Sequence, residues 1–235
     1  MGFKNKSFDV PTYMEQDLDP QRVIIISCEG ENTEPEYFHT IKEKLSDYID
    51  VLVEIQIVER TVAGSQPQKI VCNLENFIND KYDYKSDYDE LWVVWDREVV
   101  LDSQRKKDIL EILPECKQKN YNVAITNPLF EFWLLLHIVD ISLYENDILL
   151  KNEWQSPSKN RRFIDKEISE ILMHEGLGGY SKKRNKFNKN IISISNIRRA
   201  LEQEKLFENE VEKIIDNLGA NIGNLIRRIL TFEED

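Results

Sequence analysis

The sequence predicts an α/β fold: a mostly parallel four-stranded sheet flanked by helices, followed by a helical C-terminal region. Three observations carry this. Short apolar runs rich in β-branched residues recur at 23–26, 51–58, 91–95 and 121–126, and the continuous ones read as strands buried on both faces. Each is followed by apolar residues at helical spacing, and strands alternating with helices argue for a parallel sheet with right-handed crossovers. The strand signal then stops near His137. The expected organisation is an arm over 1–21, a core over 22–138 and a helical region over 139–235.

Taken in order, residues 1–20 are polar, with Pro11 and Pro20, and read as an arm. Strand one covers 22–28 and ends in Glu29-Gly30, where glycine permits a sharp exit. Thr33-Glu-Pro-Glu36 opens a helix, with Thr33 as N-cap and Glu36 completing a capping box. That helix runs over 34–48, placing Phe38, Ile41, Leu45 and Tyr48 on one face. Strand two covers 51–58 and a loop 61–67. A helix follows, marked by Ile70, Val71, Leu74, Phe77 and Ile78, and then a charged turn at 83–89. Strand three is 91–95, and helix three is 102–119 with Ile109, Ile112 and Leu113 inward. Strand four is 121–126. Asn127-Pro128 breaks it before an almost wholly apolar, hence buried, helix at 129–137. Helices are expected at 162–174, 189–206 and 208–232, with a glycine-rich, basic loop at 176–186.

The net charge of −12 disfavours a protein that coats nucleic acid nonspecifically. It does not exclude an enzyme acting on a phosphodiester, because a cation-binding carboxylate cluster is itself acidic. No apolar run approaches the roughly 20 residues of a membrane span, and the polar N-terminus shows no signal peptide. Cys28, Cys72 and Cys116 are far apart, which predicts reduced thiols in a cytoplasmic protein rather than disulfides or a zinc knuckle. His39, His137 and His174 are equally scattered and read as solvated or packed.

The candidate chemistry rests on acids at strand ends. Glu29 follows strand one, and Asp96 and Glu98 follow strand three. In a parallel sheet these lie on one edge, where ligands bind in open α/β folds, with neighbouring strands about 4.8 Å apart. Strand alternation would put Asp96 and Glu98 on one side and turn Arg97 away. Such hard oxygen ligands suit Mg²⁺ or Mn²⁺. Glu131 stands among Leu129, Phe130, Phe132 and Trp133, where a carboxylate is costly unless paired or metal-bound. Its plainer reading is compensation of a helix dipole. Arg161, Arg162, Lys182, Lys183, Arg184, Lys186 and Lys189 concentrate positive charge in an acidic chain. They read either as a solvated loop or as a clamp for a phosphate backbone.

Strand-Glu-Gly followed later by strand-Asp-x-acid resembles the Toprim domain of topoisomerases, bacterial primases and OLD-type nucleases. More narrowly, Cys-Glu-Gly-Glu-Asn-Thr-Glu-Pro-Glu-Tyr37, Trp-Asp-Arg-Glu98 and Thr-Asn-Pro-Leu-Phe-Glu-Phe-Trp-Leu-Leu-Leu-His137 resemble the RloB family. Tyr180-x-Lys182 and Ala220-Asn-Ile-Gly-Asn-Leu-Ile226 resemble its C-terminal pattern. The resemblance implies a Toprim-like core, a role in prokaryotic defence against phage and an ABC-type ATPase partner. It also implies that Glu29 is the general acid/base and that Asp96 and Glu98 bind Mg²⁺, with Glu98 standing where Asp-x-Asp members carry a second Asp. The expected function is a metal-dependent nuclease acting on DNA or RNA, tRNA included, with Lys182 and the neighbouring basic residues holding substrate. The alternative is a non-catalytic binding or sensor subunit of an ATPase-containing complex. A primase-like transferase is disfavoured, since nothing resembles a triphosphate site or a zinc-binding region.

Overall fold

A computed structural model describes residues 21–98, 103–156, 161–183 and 186–232. The arm expected over the first twenty residues and Arg184 lie outside the described residues. The strands β1 (Arg22–Cys28), β2 (Val53–Ile57), β3 (Glu90–Asp96) and β4 (Asn122–Asn127) are all parallel, and the main sheet runs β2-β1-β3-β4. The sheet is therefore α/β and mostly parallel, as the alternation predicts.

Among the described residues it has five strands rather than four. The fifth, Gly219–Ala220, comes from the C-terminal region and pairs antiparallel with β4. Two residues are too few to carry a period, so no sequence pattern marks it. Asn221 extends the pairing through its side chain, accepting from the Ile125 amide at 2.6 Å and donating to the Val123 carbonyl at 2.9 Å. The helix expected over 208–232 is accordingly two helices, Val211–Ile214 and Ile222–Ile229, on either side of this strand. The C-terminal region also holds a small antiparallel pair, β5 (Trp154–Ser156) with β6 (Arg161–Arg162). In chain order the edge strand Gly219–Ala220 is β7.

Both faces of the sheet are covered. Ile24, Ile26, Trp92 and Val94 point into one apolar cluster with α1 (Thr33–Lys44), α4 (Phe130–Ile138), α6 (Phe163–His174), α7 (Ile194–Glu204) and the helix Ile222–Ile229. The short α5 (Asn146–Lys151) adds Leu149 to the same cluster. Val23, Ile25, Val93 and Trp95 point into the other, with α2 (Pro67–Asp80) and α3 (Ser103–Gln118). This is why β1 and β3 read as continuous apolar runs. α4 is buried from Phe130 through His137. His137 is packed within it: Nδ1 lies 2.8 Å from the Trp133 carbonyl and Nε2 3.2 Å from the Tyr37 hydroxyl. Burial pushes its pKa down to about 4. The three cysteines are free. Among the described residues no helix is long and apolar enough to cross a membrane.

The entry into α1 differs from expectation. Asn32 is the N-cap and Thr33 the first helical residue, and no side-chain capping bond forms there. Instead Glu34 reaches back so that its Oε1 accepts from the Gly30 amide at 3.1 Å. A Cβ on Gly30 would run into that carboxylate, so glycine is needed here for close approach.

Candidate functional site

The C-terminal ends of β1, β3 and β4 converge on a buried acidic site. The Glu29 amide donates to the Val94 carbonyl at 2.8 Å, which fixes the residue directly beside β3. Its carboxylate Oε2 accepts from the Asp96 amide at 2.9 Å and forms an ion pair with Arg105 of α3. Arg105 also donates through Nε and Nη2 to the Asp96 carbonyl, at 3.0 and 2.7 Å, and through Nη1 to the Ser65 carbonyl at 2.5 Å. Burial, then the charge of Asp96, pushes the Glu29 carboxyl up to about 8 against the opposing pull of Arg105.

Asp96 ends β3 and accepts from the Thr126 hydroxyl of β4 at 2.6 Å. Burial raises its carboxyl well above the ordinary range, and the nearby Glu34 and Glu131 raise it further. Glu34 is pushed up to about 7 by burial and then by Glu131. Glu131, in the first turn of α4, accepts from the Tyr180 hydroxyl at 2.7 Å and from Lys182 Nζ at 2.7 Å. Asp165, in the first turn of α6, lies 3.5 Å from the same Nζ. Its carboxyl rises to about 6 through burial and the charge of Glu131. Burial works to lower the Lys182 ammonium, but the charges of Glu131 and Asp165 outweigh it and hold it up.

Glu29, Asp96 and Glu131 thus come together. Glu98 does not continue the strand pleat: β3 stops at Asp96, and Glu98 has φ of +61°, so alternation does not place it beside Asp96. Its charge still acts on Glu29. Arg97 between them is buried, its amide bonded to the Thr126 carbonyl at 2.7 Å and its Nε to the Ile215 carbonyl at 2.8 Å. Lys182 pairs with the acids Glu131 and Asp165 while its side chain stays 42% exposed. Lys182 also lines a cleft of about 600 Å³, with Lys183, Arg161, Asn32, Asp165 and Lys186. Arg161 also donates to the Tyr180 carbonyl at 2.9 Å. Arg162 is turned elsewhere, with its guanidinium 4.4 Å from the Trp154 ring centroid.

Sequence reasoning missed Glu34, Arg105 and Asp165. Glu34 and Asp165 sit in helix first turns, where an acid is ordinary dipole compensation. Arg105 lies in a helix with many charges, and nothing in the spacing marks it as buried.

The donor set is made of carboxylate oxygens, which suits a hard divalent cation. One of them, Asp165 Oδ1, is buried without a hydrogen-bond partner. Donor chemistry therefore fits Mg²⁺ or Mn²⁺. Their spacing does not: among the described residues, no three acid, histidine or cysteine side chains are gathered as they stand to hold an ion.

Fold and site together define an α/β protein with a buried carboxylate cluster on the C-terminal edge of a parallel sheet, beside a basic cleft. The family model described as RloB-like protein matches residues 24–229. The chain belongs to the RloB-like family. No curated protein and no solved structure matches it.

Proposed function

We propose that the chain is a metal-dependent nuclease of the Toprim class, cleaving a nucleic-acid phosphodiester in defence against phage. The observation that carries this reading is the set of carboxyl groups of Glu29, Glu34, Asp96 and Glu131, brought to one sheet edge next to a basic cleft, the first three raised in pKa by burial and by neighbouring acids. Acids with perturbed pKa values in a cleft are candidates for a functional site.

Glu29 holds or releases a proton near neutrality, as a group moving protons at a phosphodiester must. Arg105 and the Asp96 amide fix its carboxylate in place. Asp96, Glu34 and Glu131 would hold Mg²⁺ or Mn²⁺, with Glu98 a further candidate on the Glu29 side. The bound ion supplies neutralisation of charge at the scissile phosphate. Lys183, Lys186 and Arg161 line the cleft where backbone phosphates would lie, and such contacts position substrate without reading sequence. An ABC-type ATPase partner belongs to the same proposal on the family resemblance, and a cytoplasmic setting on the three scattered cysteines.

A second reading is a binding or sensor subunit without chemistry. It is favoured by the way Arg105 and Lys182 already neutralise part of the cluster. Incubating purified protein with DNA and with tRNA, in Mg²⁺ or Mn²⁺, separates the two. Cleavage by wild type that disappears in Glu29→Gln supports the nuclease. Absence of cleavage by wild type, with and without its ATPase partner, leaves the binding reading.

A further inference from the structure

Lys182 reaches its position from a loop that has two glycines in left-handed conformation, Gly176 and Gly178. Its ammonium is 2.7 Å from Glu131 Oε2 and 3.5 Å from Asp165 Oδ1. Both acids are almost wholly buried, at 3% and 8% side-chain exposure, while the Lys182 side chain is 42% exposed. The lysine is thus the most exposed of the three partners. Asp165 Oδ1 is ion-paired with the same ammonium at the longer distance. Lys182 and Arg105 bring two positive charges to five carboxyl groups, those of Glu29, Glu34, Asp96, Glu131 and Asp165.

We infer that Lys182 is a built-in counter-cation that competes with the divalent ion for this cluster, and that ion binding expels its ammonium into the adjoining basic cleft. This rests on the metal-binding reading given above. A divalent ion needs the same Glu131 oxygen at about 2.0–2.1 Å if it is Mg²⁺, and an ammonium 2.7 Å from that oxygen occupies the approach. The lysine stem is long and flexible and carries a compact point charge, so it can leave by side-chain rotation alone. Lys182 already lines this cleft, together with Asp165, Arg161, Lys183 and Lys186, so its ammonium need only turn away from Glu131 to face into it. The displaced ammonium joins those cations and becomes available to a phosphate. Loading of the metal and readiness to hold a polyanion are then coupled through one side chain.

Titration of the whole chain with Mn²⁺ by calorimetry, wild type against Lys182→Met, tests this. Removing a competing cation strengthens Mn²⁺ binding, here by about tenfold, within the range usual for coupled ligands. A purely structural lysine gives no such gain. Equal or weaker binding by the variant, with wild type binding Mn²⁺, overturns the inference and leaves the metal reading standing. Failure of both proteins to bind Mn²⁺ overturns the metal reading and the inference with it. Should Lys182→Met not fold, wild type labelled with ¹⁵N-lysine is titrated with Mg²⁺. The Lys182 ammonium resonance, identified by its absence in Lys182→Arg, is expected to move as Mg²⁺ saturates. A resonance that stays in place at saturation overturns the competition.

Discussion

At Glu29 a backbone amide and a guanidinium converge on one carboxylate oxygen. The same residue carries a carboxyl pushed up to about 8, so its position and its proton are governed separately. Gln keeps the shape and loses the titration. Glu29→Gln is expected to retain nucleic-acid affinity and lose cleavage by about 10²–10⁴-fold, the usual worth of a positioned acid or base. Single-turnover cleavage alongside a filter-binding isotherm checks this. Full activity of a normally folded Glu29→Gln protein sinks the assignment. Lys183→Ala with Lys186→Ala removes cations from the cleft. That pair is expected to weaken binding and flatten its dependence on log salt by about 0.7–0.9 for each phosphate that is no longer neutralised. An unchanged slope would move the substrate elsewhere.

Glu29 and Asp96 were legible in the sequence because an acid ending an apolar strand run has few structural uses. Glu34, Arg105 and Asp165 were not, since each occupies a position that ordinary helix electrostatics explains. Lys182 was legible as a basic residue in a basic stretch, and its place among carboxylates was not. Only the packing of α4 against α6 brings Glu131 and Asp165 to it.

Among the elements, β1 has the bounds its apolar run predicts, and the parallel order follows from strand-helix alternation. β7 escaped because Ile214, Ile215 and Leu218 keep an apolar period going toward Ile222, which looks like one helix until Gly219–Ala220 turns to the sheet edge. The side chain of Asn221 holds that turn. Asn221→Ala leaves the Ile125 amide and the Val123 carbonyl without this partner. Orphaning a buried polar group costs about 1–3 kcal/mol, so chemical unfolding in urea should show a lowered midpoint with an unchanged slope. No loss of stability would mean that the edge is held by its neighbours alone.

Across the whole molecule, raised carboxyl pKa values dominate the pH response. Glu29 moves from 4.5 to about 8, and Glu34 and Glu204 from 4.5 to about 7. Such groups hold protons in the folded chain that the unfolded chain has released, so stability falls as pH rises between the two values. His137 acts oppositely: burial moves it from 6.5 to about 4, so its contribution is lost as pH falls through that window. Above neutrality the raised carboxyls of Glu29, Glu34 and Glu204 are still titrating toward instability. In the absence of divalent cations the melting temperature is therefore expected to drop between roughly pH 6 and pH 8.5. A calorimetric scan series that stays flat or rises over this range contradicts the raised carboxyls. Composition had already shown an acidic chain, but the burial of its acids at one edge is a tertiary fact that no count reveals.

The order in which the sheet is completed bears on how the chain is made. β4 is an edge until β7 arrives, and the two are separated by roughly 90 residues of synthesis, about 5–20 s at ordinary elongation rates. During that interval the nascent polypeptide carries an open strand edge, and the apolar α4 lacks its covering α7 for much of the time. Unpaired edges of this kind are templates for wrong pairing. On the ribosome this stretch is one that a holdase would need to shield, and release of the finished chain lets the Asn221 turn seat against β4 and withdraw the exposed edge from other chains.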